Sequence, residues 1–81
     1  MARFLINIES MRMEPIESEA ISAVGYDESG RVLRVTFHTG RSYEYLDVPP
    51  DEYGRFMSAE SRGTYLNQVI KRAYECREVE E

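Results

Sequence analysis

The residues of this chain best placed to do chemistry lie between 61 and 72. Ser61-Arg62-Gly63-Thr64 closes one helical stretch and opens another, so backbone N–H groups at a helix start would point outward beside Arg62. Asn67 and Lys71 follow one and two turns further along, on the polar side. With Gly63, Thr64, Arg72 and a hairpin residue, Arg41, they form a candidate set for holding phosphate or carboxylate groups. The same turn also reads as an ordinary helix–helix connection, with Gly63 as a C-cap and Thr64 as an N-cap.

Other reactive residue types lack partners. Tyr43 and Tyr45 could stack on unpaired bases, but strand alternation assigns them to the core with their hydroxyls near the rim. His38 is the single histidine. It has no Ser, Cys or carboxylate at a readable spacing and reads as a solvated loop residue. Cys76 has no histidine companion and falls in the last turn of a helix, as an incidental thiol. Asp27-Glu28 and Asp51-Glu52 sit in a turn and at a helix start, where acids are locally favoured. There is no glycine-rich phosphate loop and no Cys/His cluster with metal-ligand spacing. Catalysis is the least supported class, and no cofactor is expected.

The elements that must position these residues follow from periodicity. Ile21–Tyr26, Val32–Phe37 and Ser42–Leu46 are short runs rich in β-branched and aromatic residues, separated by segments ending in Gly30 and Gly40. Both glycines suit the left-handed residue that closes a three-residue hairpin loop. With those loops, Val35 pairs with Tyr43 and Leu33 with Tyr45, while Ile21 faces Phe37, Ala23 faces Val35 and Gly25 faces Leu33. The opposite face then presents Val24, Tyr26, Val32, Arg34 and Leu46, mildly apolar and open to a partner. After Pro49 the period becomes helical. Pro50, Asp51 and Glu52 suit a first turn, and Tyr53, Phe56 and Met57 share one side. Leu66, Val69, Ile70, Ala73 and Tyr74 follow as a longer amphipathic stripe. The predicted fold is α+β: a three-stranded antiparallel β-meander followed by two short helices packed on one sheet face (βββαα).

Charge and length narrow the classes. At 81 residues the chain holds one domain with a small core. Its net charge of −5 is uneven. Residues 21–77 balance eight bases against eight acids, and the surplus acid lies at the two ends. A neutral body argues against unaided, non-specific binding to phosphate backbones. One cysteine excludes an internal disulfide, and the longest apolar run, Phe4–Ile6, is too short for a membrane span. A cytoplasmic domain is expected. Residues 1–12 read as an N-terminal extension, either flexible or a strand built on Phe4, Ile6 and Ile8. Residues 13–77 form the single domain and 78–81 an acidic tail.

An ordered set of motifs carries a resemblance. It comprises Val24-Gly25-Tyr26-Asp27, Leu33-x-Val35-x-Phe37, Tyr43-Glu44-Tyr45, Val48-Pro49, Ser61-Arg62-Gly63-x-Tyr65-x-Asn67 and Lys71-Arg72-x-Tyr74. From about Met13 to Tyr74 the chain resembles the KTSC domain, named for the C-terminus of some lysyl-tRNA synthetases and otherwise found as a small bacterial or phage protein. The resemblance implies no established activity. Its synthetase context suggests RNA, with tRNA as partner, held by Arg41, Arg62, Gly63, Thr64, Asn67, Lys71 and Arg72. The alternative is a protein-interaction or homodimerisation module acting through Val24, Tyr26, Val32, Arg34 and Leu46.

Overall fold

The computed structural model describes residues 12–79. The strand expected around Phe4–Ile8 lies outside these residues. Five antiparallel strands form one sheet whose spatial order follows the chain: β1 (Glu14–Pro15), β2 (Ile21–Asp27), β3 (Val32–Phe37), β4 (Ser42–Tyr45) and β5 (Cys76–Val79). The predicted α+β class holds, and β2–β4 are the expected meander. The three-stranded description is incomplete, because β1 pairs with β2 and β5 pairs with β4.

The β3–β4 hairpin has the predicted register, with Val35 opposite Tyr43 and Leu33 opposite Tyr45. Gly40 has φ +96, the left-handed geometry its loop requires. The β2–β3 hairpin differs. Asp27 pairs with Val32, so the loop holds four residues, and Arg31, not Gly30, takes the left-handed conformation at φ 57. Gly30 is needed for another reason: a Cβ there would meet Asp27 Oδ2 at 2.9 Å. The longer loop moves the register by one, setting Val24 opposite Val35 and Tyr26 opposite Leu33. A β-bulge between Ile21 and Ala23 then restores the Ile21–Phe37 pair. Val24 (1% exposed) and Tyr26 therefore belong to the core side, and not to the open face on which they were expected.

Two helices cover that side. The first, α1 (Pro50–Ser58), begins with proline in its first turn and with Asp51 and Glu52 at the positive end of its dipole. The second, α2 (62–73), starts α-helical at Arg62–Tyr65, runs as a π-helix over Leu66–Ile70 and ends α-helical at Lys71–Ala73. Its N-cap is Ser61, whose side chain accepts from the Thr64 N–H. Thr64 and Gly63 lie inside the helix and are not its caps. In the π segment the Lys71 N–H bonds to the carbonyl of Leu66, five residues back. This extra residue per turn breaks the expected stripe. Leu66 and Ile70 are buried and Ala73 is exposed. The core unites Ile21, Val24, Leu33, Val35 and Tyr45 of the sheet with Val48, Phe56, Leu66 and Ile70. Among the described residues no helix is long and apolar enough to cross a membrane.

Two substitutions test this geometry by urea unfolding. Val24→Asn should cost at least about 2 kcal/mol, because it removes core contacts and buries an amide without partners. Ala73→Lys, on the exposed side created by the π segment, should stay within about 0.5 kcal/mol of the parent.

Candidate functional site

Between α2 and the β3–β5 part of the sheet lies a cavity of about 190 Å³, lined by Phe37, Tyr43, Tyr45, Asn67, Lys71 and Cys76. Alternation along β3 and β4 turns Phe37, Tyr43 and Tyr45 toward α2. Phe37 and Tyr43 meet edge to face with ring centroids 5.8 Å apart. Tyr45 is 2% exposed, and burial pushes its phenol up to about 12. Asn67 and Lys71 stand four residues apart on α2, exposed on the rim. β5 supplies Cys76, an exposed free thiol, as a further wall.

A second cavity, of about 390 Å³, joins Arg62, Gly63, Thr64 and Asn67 at the start of α2. The structure thus brings four of the expected site residues together there. It does not make an anion cradle of them. Glu17, Glu19 and Glu60 line the same space, and their charge works against a phosphate beside Arg62. The backbone of the helix start is internally bonded, since Ser61 Oγ accepts from the Thr64 N–H and the Tyr65 N–H bonds to the Ser61 carbonyl, whereas the buried Arg62 Nε has no hydrogen-bond partner among the described residues. Arg41 lies apart, its guanidinium paired with Glu78 at 3.2 Å. Arg72 is exposed on α2 and lines neither cavity.

The opposite sheet face carries Val32 and Arg34 as expected, but its centre is ionic. Arg34 donates to Glu44 Oε2 at 2.7 Å, and Arg77, across β5, donates to Glu44 Oε1 at 2.9 Å. Thr36 and Ser42 hydroxyls pair beside them at 2.7 Å. Leu46, beyond β4, donates its N–H to the Glu75 carbonyl. Burial works to raise the Glu44 pKa, but hydrogen bonds from Arg34 and Arg77 outweigh it and hold the carboxyl below its usual range.

The sequence reading missed a buried carboxylate on the helical side. Glu52 accepts hydrogen bonds from the Tyr65 hydroxyl and, at 3.0 Å, the Tyr74 hydroxyl. Arg55 stands 3.5 Å away. The Tyr65 hydrogen bond lowers the Glu52 pKa most, against burial, with help from Tyr74 and Arg55. This cluster ties the first turn of α1 to both ends of the π segment. Nearby, Tyr26 and Tyr53 stack at 4.3 Å, and the Tyr26 hydroxyl donates to the Val48 carbonyl. His38 is held to the Ser18 carbonyl through Nε2 at 3.0 Å. Among the described residues no group of three or more His, Cys, Asp or Glu could hold a metal ion.

Comparison with known proteins gives a consistent result. Residues 17–74 match the KTSC domain. A crystal structure of a KTSC domain protein from Yersinia pestis superposes with a TM-score of 0.80 at 38% identity, covering 86% of this chain and 99% of that one. A protein of Tsukamurella paurometabola is 41% identical over 59 residues, covering 73% of this chain and 88% of its own length. The lysine–tRNA ligase of Nostoc punctiforme is 33% identical over 55 residues, which is 68% of this chain but 10% of the ligase.

The two buried carboxylates predict a pH profile. Both titrate in the folded chain below their unfolded values, so their stabilisation is complete above the ordinary carboxylate pKa of about 4.3 and is lost as pH falls through the lower folded values. Urea midpoints should stay level from neutrality to about pH 5.5 and then decline, and Glu52→Gln should flatten part of that decline. At neutral pH, Tyr74→Phe should cost about 1.5–3 kcal/mol, the value of a hydrogen bond to a charged group.

Proposed function

The chain belongs to the KTSC domain family, and from that premise we propose that it is a non-catalytic module that binds RNA through exposed bases of α2. One observation supports this above the others: the distribution of unpaired positive charge. Arg34, Arg41, Arg55 and Arg77 are engaged with Glu44, Glu78, Asp51 and Glu52. Arg12, Arg31, Arg62, Lys71 and Arg72 make no ion pair with a described residue, and of these only Lys71 and Arg72 stand side by side, both exposed. A chain of net charge −5 attracts a polyanion only where local charge is free, so contact centres on this end of α2. The similarity to part of a tRNA ligase makes tRNA the first RNA to test. Docking of a protein or a second copy on the open sheet face has weaker support. Val24 and Tyr26 are on the core side, and Arg34, Glu44 and Arg77 form an ion cluster there.

The test is a titration of tRNA into the protein between about 50 and 200 mM salt. Affinity should fall steeply with salt. Replacing Lys71 and Arg72 together by alanine should weaken binding and reduce the salt slope by about one unit per lost phosphate contact. Arg41→Ala should change neither. Absence of binding at the lowest salt would overturn the reading.

A further inference from the structure

The small cavity under Asn67 and Lys71 has features that phosphate binding does not use. One wall is aromatic: Tyr43 is half-buried and set edge to face with Phe37. Behind it lies the ring of Tyr45, a buried residue. Three other tyrosines spend their hydroxyls inside the fold, Tyr26 on the Val48 carbonyl and Tyr65 and Tyr74 on Glu52. Burial pushes the pKa of the Tyr45 phenol up to about 12. It is therefore a protonated donor at neutral pH, in a residue that lines the cavity.

The rim adds an amide, which both donates and accepts, and an ammonium. A flat apolar wall, a neutral hydrogen-bonding group within and a cation at the mouth match a planar heteroaromatic ring joined to a phosphate. We propose that this cavity receives one unpaired nucleobase of single-stranded RNA, its ring against Tyr43, its polar edge toward Tyr45 and Asn67, and its flanking phosphate at Lys71. The proposal rests on the RNA-binding reading and narrows it. At about 190 Å³ the cavity takes a single ring system, and a base held in a duplex cannot enter. The cavity at the start of α2 does not offer this combination, because three carboxylates share it with Arg62.

The experiment compares a single-stranded RNA carrying 2-aminopurine with the duplex of the same sequence, using the full chain. The single strand should bind at least tenfold tighter, with a change in 2-aminopurine fluorescence, and should slow alkylation of Cys76, which lines the same cavity. That readout needs no variant. Tyr43→Leu should weaken single-strand binding by about 5- to 100-fold, and Tyr45→Phe by about 2- to 10-fold. Equal binding of both forms, with Cys76 alkylation unaffected, would overturn the base pocket and leave phosphate binding by α2 intact. No binding of either form at low salt would overturn the RNA reading itself. Adenosine and uridine monophosphates should compete better than N-acetyltryptophan, which shares a ring and an anionic group; the reverse order would assign the cavity to a peptide instead.

Discussion

Strand β2 can bury Ile21 and Val24 on the same side only by breaking its own alternation. The two residues are three apart, and a regular strand would send them to opposite faces. The bulge between Ile21 and Ala23 removes that conflict. It works in concert with the four-residue turn after Asp27, which shifts the register by one in the other direction. Each device alone would leave one of these side chains in water, at a loss of roughly 1.5–3 kcal/mol. The helical layer depends on the result. With Val24 and Tyr26 turned inward, Tyr26 can stack on Tyr53 of α1 and donate to the Val48 carbonyl, which fixes where α1 sits above the sheet.

Much of this was legible before the structure. The β3–β4 hairpin announced its register through period-2 alternation closed by a glycine, and Pro50-Asp51-Glu52 announced the start of α1. The turn after Asp27 was not legible. Gly30 offered itself as the left-handed residue, yet the close approach of Asp27 occupies it and Arg31 takes that conformation. Strand β5 was hidden because Cys-Arg-Glu-Val carries no apolar alternation. Charged residues are what an edge strand tolerates, and its acidic neighbours made it read as a tail. The π segment was hidden because Leu66, Val69, Ile70, Ala73 and Tyr74 fit an ordinary helical stripe, and nothing in the residue types marks the extra backbone unit. At the candidate site, Asn67 and Lys71 were visible from spacing alone. The contribution of Cys76 was not, since it depends on β5.

Two carboxylates organise the polar side of the architecture. Glu44 lies on the open face and joins three strands through Arg34 and Arg77. Glu52 lies on the helical side and gathers Tyr65 and Tyr74. Each is nearly buried, and each has its oxygens supplied with donors, the condition under which a buried charge is tolerable. In a domain with so small an apolar core, these satisfied charges specify which strand joins the sheet and how two helices meet. Four of the eight described arginines are held by acids, and at the end of α2 Lys71 and Arg72 form the one adjacent pair of cations without an ion pair among the described residues.

The coincidence of chain order and sheet order has a kinetic consequence. Strands β1 to β4 are joined by short connections, so their pairing closes small loops at little entropic cost. Strand β5 must instead return across the entire helical layer before it meets β4, making its closure the longest in the chain. Pairing that spans more sequence is slower to nucleate, so the meander and its helices assemble first and β5 docks last onto a nearly finished surface. As an edge strand it can also open in the native state without unpicking the meander, releasing the Arg77 pair with Glu44. The wall that β5 contributes beside Lys71 is thus lost whenever this strand frays, and the residence time of anything held there is bounded by that fraying.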